Sequence, residues 1–267
     1  YKQYLFAAEK AKATVTKYIN EAERLAEYLN GNQLSKRALL EYREILAENF
    51  SSRTVNTKLA AINGYLSFIG ADEYKVQLLK VQRRAFIDES RELSAAEYKR
   101  LVNAADVGGN DRLSLVMQTI CATGIRISEL SYITVDAVKE RSMEIRLKGK
   151  SRTVIIPSKL CKKLVEYARR QRIDTGAVFR TKGGKPLDRA NVCHDMKRLC
   201  DAAHVERSKV FPHNLRHLFA RAFYSIEKNL SHLADVLGHS SIETTRIYVA
   251  ASSRQYERML DKMKLIT

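Results

Sequence analysis

Apolar residues in the first 80 positions recur with the period of an α-helix. Between residues 11 and 29 they fall every three or four positions, so that they share one helical face. Asn30-Gly31-Asn32 ends this pattern, and the stretches 35–46 and 54–69 repeat it. A short fourth helix is expected to run through Leu79. The pattern predicts a small helical bundle with lysines and arginines on its outer faces.

A change of pattern marks the boundary between two domains. Residues 80–91 are polar and charged without any period, which is typical of a linker. Ser94 and Glu97 then form a capping box, in which each side chain accepts a hydrogen bond from the other residue's backbone N–H, so a new helix begins directly after the linker. The predicted parts are a helical domain over residues 1–85, a linker over 86–92 and a second domain over 93–267.

The second domain is predicted to be mostly helical with one small sheet. Residues 144–148 alternate between polar and apolar, turn at Gly149-Lys150-Ser151 and return over 153–156, as a β-hairpin does. Helical periods are found over residues 111–122, 158–172, 188–203, 213–227, 230–237 and 241–248. The expected fold class is therefore mainly α: a helical bundle followed by a mostly helical α+β domain with a small β-hairpin.

Composition adds a strongly basic charge to this picture. The chain has 47 lysines and arginines against 30 acidic residues, and the resulting net charge of +17 is spread along the sequence. A folded, diffusely basic protein most often binds a polyanion, and nucleic acid is the first candidate. No run of 18 apolar residues is present, so we expect a soluble protein without a membrane partner. The chain begins at Tyr1 rather than methionine, so we expect further residues to precede it.

The four cysteines give no sign of a metal site. They are Cys121, Cys161, Cys193 and Cys200, and no CxxC or HxxxH spacing accompanies them. We expect reduced thiols packed as small apolar groups in a cytoplasmic protein.

Two stretches set charged or hydroxyl side chains into apolar helical patterns. In ATGIRISEL, Glu129 follows Arg126 by three positions and can orient its guanidinium; taken alone, this is most simply a structural ion pair. In LGHSSIETTRIYV, Thr244 and Tyr248 lie four positions apart and share a helical face. Tyrosine is common and amphipathic, so Tyr248 alone is most simply a packing residue.

A third stretch, FPHNLRHLFARAFY, is harder to explain by packing alone. Pro212 makes a good helix start, and His213, Arg216 and His217 follow on an otherwise apolar helix. Two imidazoles and a guanidinium are costly there unless they pair with one another or meet an anion.

The order of these stretches resembles the layout of the tyrosine recombinase (phage-type integrase) superfamily. That layout is an arginine, a hairpin lysine, H-x-x-R-H, G-H, and a tyrosine nine residues later. TGIRISEL, HNLRHLFA and LGHSSIETTRIY are close to its signature boxes, and the helical first domain is similar to its SAM-like core-binding domain. The match extends over nearly the whole chain and fits the short Xer-like integrases of bacterial mobile elements. The resemblance implies a site-specific DNA recombinase that integrates or excises such an element.

The resemblance also implies roles for the site residues. Tyr248 would be the nucleophile that attacks a DNA phosphodiester and becomes a 3′-phosphotyrosine. Arg126 and Arg216 would hold the non-bridging oxygens of that phosphate. His213 would assist proton transfer, and His239 would add a hydrogen bond. These residue types suit the chemistry, because a planar guanidinium can bind two phosphate oxygens at once and a phenol with a pKa of about 10 needs cations and a base to react.

A hairpin lysine would protonate the departing 5′ oxygen, and two candidates stand open. We favour Lys148 over Lys150, and whichever is not the acid is expected to contact a phosphate. Glu129 matches the family's acidic support for Arg126. DNA-binding residues are expected at Lys80, Arg83, Arg84, Lys150 and Arg152.

The expected partners are double-stranded DNA with specific recombination sites and further copies of the chain, in a homotetramer on two synapsed sites. Residues 252–267 carry apolar side chains at helical spacing and are expected to pack, as a tail helix, on a neighbouring protomer. An accessory directionality factor is left open. We expect a bacterial, cytoplasmic and nucleoid-associated protein.

No cofactor or metal is expected, because a covalent intermediate keeps the energy of the broken bond and no Walker A motif is present. Two other functions are considered. A type IB topoisomerase-like enzyme would relax DNA by the same phosphotyrosine chemistry, but the small helical first domain disfavours it. A DNA-binding regulator without catalysis is disfavoured because every expected catalytic residue type is present.

Overall fold

The computed structural model describes residues 1–81, 88–147, 150–181, 183–239, 241–249 and 260–263. The chain divides into two compact units, Tyr1–Arg84 and Ala85–Thr267, which we call the N-terminal unit and the C-terminal unit. Among the described residues the structure is mostly helical with one two-stranded sheet, which confirms the predicted fold class. No helix of the described ranges is long and apolar enough to cross a membrane.

The N-terminal unit is a helical bundle whose core is formed mainly by α2, α3 and α4. The helices are α1 (Lys2–Ala7), α2 (Lys12–Leu29), α3 (Lys36–Asn49) and α4 (Ser52–Phe68). Ser35 and Ser51 cap α3 and α4 with their hydroxyl groups, as polar residues do at helix N-termini. The fully buried side chains of this core include Leu39, Val55, Leu59, Ile62 and Leu66.

The predicted fourth helix through Leu79 is wrong. Only a 3₁₀ turn over Asp72–Tyr74 forms, and residues 75–80 are irregular. Two asparagines of α4 replace the helical hydrogen bonds of this segment: Asn56 bonds the backbone N–H and carbonyl of Leu79, and Asn63 does the same for Val76. Tertiary hydrogen bonds therefore override the local helical pattern.

The C-terminal unit is built around helix α6, which has buried side chains on several sides. Its elements are α5 (Ala95–Val107), α6 (Asp111–Thr123), α7 (Val135–Glu140), β1 (Ser142–Leu147), β2 (Lys150–Ile155), α8 (Ser158–Arg170), α9 (Arg189–Arg198), α10 (Cys200–Ala203), α11 (Pro212–Ile226), α12 (Leu230–Leu237) and α13 (Ile242–Val249). The predicted capping box of Ser94 and Glu97 begins α5. Helices α5, α8 and α11 pack on α6.

The hairpin differs from its prediction at the turn. Strands β1 and β2 pair antiparallel with Leu147 opposite Lys150, so Lys150 and Ser151 belong to β2 rather than to the turn. Residues 148–149, which follow β1 in the sequence and precede β2, lie outside the described residues. The alternating pattern could not set this register, because Lys148, Lys150 and Arg152 all suit an exposed strand edge.

Candidate active site

The site is built around Arg216, which projects from α11 and is only 1% exposed. Its Nη1 donates to the carbonyl of Gly124, and its Nη2 donates to the carbonyl of Leu237 at 2.7 Å. These carbonyls lie at the C-terminal ends of α6 and α12, where backbone acceptors have no partner within the helix and the helix dipole is negative. Burial, and then the charge of Arg126, lowers the pKa of Arg216 to about 10, so the guanidinium stays charged at neutral pH.

His239 lies against the same guanidinium. Its Nε2 is 3.0 Å from Arg216 Nη2, and its Nδ1 is 2.9 Å from Thr245 Oγ1. A guanidinium can only donate, so Nε2 accepts and the ring hydrogen is assigned to Nδ1. Burial, followed by the charges of Arg216 and Arg126, lowers the pKa of His239 to about 4. The ring is therefore neutral at physiological pH.

The buried carboxylate of Glu129 joins two arginines. Its carboxylate is fully buried and accepts two hydrogen bonds from Arg152, at 3.0 and 2.7 Å, and one from Arg126 Nη1 at 3.1 Å. Burial raises the pKa of Glu129, but the hydrogen bonds from Arg152 and from the Arg126 backbone outweigh it, so the pKa lies below its ordinary value. The Arg126 side chain remains 39% exposed, so its guanidinium can still meet a ligand.

His213 lies at the open side of the cluster. Its ring centroid is 4.8 Å from that of His217 and 6.2 Å from that of Tyr248. Partial desolvation, and then electrostatic interaction with His217, Arg216 and Arg126, lowers the pKa of His213 to about 4. A neutral imidazole at this position can accept a proton.

Tyr248 is on α13 and is 3% exposed. It packs with Ala220, Leu233 and Leu237, and its ring stacks on His239 with centroids 5.7 Å apart. The Tyr248 side chain also interacts electrostatically with Arg216. One chain therefore brings Tyr248 together with Arg126, His213, Arg216 and His239, although 122 positions separate Arg126 from Tyr248 in the sequence.

The other predicted site residues have different placements. Lys148, Arg83 and Arg84 lie outside the described residues, and Lys150 is the first residue of β2. Lys80 is exposed in the N-terminal unit. Arg152, expected as a DNA contact, is only 13% exposed and is held by Glu129.

Several residues of the cluster were not singled out by the sequence pattern. Thr245 is fully buried against His239, whereas the neighbouring Thr244 is exposed and donates to the carbonyl of Ser241. Glu92 pairs with His217 and Arg221 at the edge of the cluster. The sequence alone could not tell Thr245 from the adjacent Thr244. It could not predict the contact between Glu92 and His217 either, because 125 positions separate them and no helical or strand period connects them. In the described part of the chain, no group of three His, Cys, Asp or Glu side chains is arranged to hold a metal ion.

The chain is similar in sequence to proteins named tyrosine recombinases. The chain is 26% identical to tyrosine recombinase XerA of Pyrococcus furiosus, over 98% of this chain and 92% of XerA. It is 29% identical to tyrosine recombinase XerH of Campylobacter jejuni, over 94% of this chain and 77% of XerH.

Solved structures show the same fold. XerH in a post-cleavage complex with palindromic difH substrate superposes with a TM-score of 0.74 at 20% identity, covering 92% of this chain and 78% of that one. A lambda integrase dimer on a COC′ core site gives a TM-score of 0.74 at 15% identity, covering 95% of this chain and 94% of that one. Residues 91–255 match the sequence model of the phage integrase family. The chain therefore belongs to the phage integrase family.

Proposed function

We propose that this chain cuts and rejoins DNA at specific sites through a covalent bond between Tyr248 and a DNA 3′ phosphate. Family membership, together with relatives named tyrosine recombinases over nearly the whole chain, makes it a site-specific recombinase of the tyrosine type. The observation that carries the residue assignment is that a single chain gathers a tyrosine, two arginines and two neutral histidines in one cluster.

The chemistry assigns each group a part. The Tyr248 oxygen bonds to phosphorus while the bond from phosphorus to the 5′ oxygen breaks. Arg126 and Arg216 stabilise the negative charge that grows on the phosphate, and such fixed charges contribute most to lowering a barrier of this kind. His213, neutral at physiological pH, accepts the phenol proton. Lys148 gives a proton to the departing 5′ oxygen, as the family resemblance implies, and attack by that oxygen reverses the step.

A nicked suicide duplex tests this function. DNA sites are first selected from a random library by binding to the chain. A nick next to the scissile phosphate then lets the short strand with the freed 5′ hydroxyl diffuse away, so that it cannot rejoin. We expect a covalent complex that Tyr248→Phe does not form. Absence of any complex with the wild type would contradict both the recombinase and the topoisomerase hypotheses. A complex accompanied by relaxation, but without strand exchange between two sites, would favour a type IB topoisomerase.

The biological setting is a second part of the proposal. Resemblance to short Xer-like integrases supports integration or excision of a bacterial mobile element. A tetramer on two synapsed sites is supported by the lambda integrase tetramer solved on a Holliday junction, which this fold matches. An accessory directionality factor and a cytoplasmic, nucleoid-associated location stay predictions.

The C-terminal segment is proposed to hold neighbouring protomers together. Of residues 252–267, only 260–263 lie in the described ranges, and they are helical. Leu260 and Met263 lie three positions apart, so they share a face of this helix, and they expose 60% and 55% of their surface. Deleting residues 254–267 should weaken cooperative assembly on DNA with two sites in a gel-shift titration. Unchanged cooperativity would contradict this role.

A further inference from the structure

The segment that follows residues 82–87 is fastened to one face of α11. Asn214, His217 and Arg221 lie three and four positions apart, so their side chains project from the same side of the helix. Asn214 Nδ2 and Arg221 Nη2 donate to the backbone carbonyls on either side of Glu92, at 2.8 and 2.6 Å. Between these two bonds the Glu92 carboxylate meets His217. Glu92 is thus fixed on both sides by the helix that carries His213 and Arg216.

The Glu92 carboxylate is charged in this setting. Its Oε1 lies 3.2 Å from His217 Nδ1, and its Oε2 lies 3.1 Å from Arg221 Nη1. Its side chain is only 13% exposed. Burial raises the pKa of Glu92, but the hydrogen bond from His217 and the nearby charge of Arg221 outweigh it, so the pKa lies below its ordinary value. A carboxylate accepts, so His217 Nδ1 donates to it.

His217 carries this contact to the nucleophile. Its ring stands perpendicular to that of Tyr248, at 88° and with centroids 4.6 Å apart, and it also packs on the ring of His213. Its Nε2 is buried and has no hydrogen-bond partner among the described residues. The bond to Glu92 is therefore the polar contact that sets the rotation and the tautomer of this ring.

We propose that Glu92 is a positioning residue, which acts through His217 to fix the orientation of Tyr248 and His213. The inference rests on the proposed function, because it concerns how that tyrosine is presented. A carboxylate that holds an imidazole in one tautomer and one orientation is a known way of organising a nucleophilic site. Displacing a reacting group by about 1 Å costs on the order of 100-fold in rate. Neither the family motifs nor the linker pattern of residues 80–91 assigns such a role.

The test separates positioning from folding and from DNA binding. We would measure the rate of covalent complex formation at saturating DNA, the DNA dissociation constant and the free energy of unfolding. Glu92→Gln keeps the shape of the side chain and removes its charge. Glu97→Gln is the matched control: Glu97 is 16% exposed, pairs with Lys209 at 2.9 Å, and touches none of the site residues described above. His217→Asn keeps a donor for Glu92 but removes the ring from Tyr248.

We expect Glu92→Gln to lower the saturated rate about tenfold, with DNA affinity and the unfolding free energy matching those of Glu97→Gln. The double variant should be no slower than His217→Asn alone, because the effect of Glu92 passes through that ring. A saturated rate for Glu92→Gln equal to wild type, or losses that multiply in the double variant, would overturn the positioning role. The proposed function is judged separately, by whether the wild type forms a complex that Tyr248→Phe lacks.

Discussion

Arg216 connects two of the sequence motifs at the level of single side chains. The turn after α6 supplies the carbonyl of Gly124, and the end of α12 supplies the carbonyl of Leu237. A buried guanidinium is tolerated only when such acceptors surround it. The two glycine-containing turns therefore hold the arginine that the proposed chemistry needs, in addition to ending their helices.

Gly124 allows both the turn and its close packing. Its φ is +66°, and an added Cβ would lie 2.4 Å from Phe219 Cδ1. We expect Gly124→Ala to lower the free energy of unfolding by about 2–4 kcal/mol, from backbone strain and overpacking together. Gly176→Ala is the control, since its φ is +75° and nothing lies within 4 Å of an added Cβ. Equal losses in urea unfolding would show that packing on Phe219 does not matter.

The depressed pKa of His239 predicts how stability depends on pH. Its folded pKa is about 4, against 6.5 for an ordinary histidine. As pH falls, the unfolded chain takes up the proton first, so stability is fully present above pH 6.5 and is lost as pH falls toward 4. Between pH 6.5 and 4.5, His239→Gln should reduce the slope of unfolding free energy against pH by up to about 1 kcal/mol per unit. An unchanged slope in urea titrations would contradict a neutral, half-buried His239.

At the scale of elements, the order of the motifs predicted which side chains lie together better than the local hydrophobic period predicted the backbone. The arginines, histidines and Tyr248 converge as the resemblance implied, because a functional motif constrains residue type at each position. The hairpin turn and the segment through Leu79 were misplaced, because their backbone is set by strand register and by side chains of another helix. Glu92 could not be found from the sequence, because its partners lie more than 120 positions away. Thr245 could not be found because the adjacent Thr244 is the same residue type.

The support that the asparagines of α4 give to the backbone of residues 75–80 can be measured. Asn63 both donates to the Val76 carbonyl at 2.8 Å and accepts from the Val76 N–H at 3.1 Å. Asn63→Asp keeps the acceptor and loses the donor, so we expect a loss of about 1–3 kcal/mol in unfolding free energy. Asn49→Asp serves as the control, because Asn49 donates only to the exposed carbonyl of Ile45. A similar loss in both variants would argue against the proposed backbone support.

At the scale of the whole molecule, a net charge of +17 governs the encounter with DNA. Each lysine or arginine that neutralises a phosphate releases counterions, so affinity falls with salt. We expect Lys80→Gln to reduce the slope of log affinity against log salt by about 1 and to weaken binding equally on different sequences. An unchanged slope in fluorescence-anisotropy titrations would exclude Lys80 as a phosphate contact.

Also at the scale of the whole molecule, Tyr248 is proposed to be the residue that joins the protein to DNA. The covalent complex would be trapped on a nicked duplex, digested with nuclease and trypsin, and mapped by mass spectrometry. Cleavage after Arg246 and Arg254 leaves a peptide whose only tyrosine is Tyr248. We predict a nucleotide linked to this peptide through its 3′ phosphate. A link at another tyrosine, or through a 5′ phosphate, would contradict the claim.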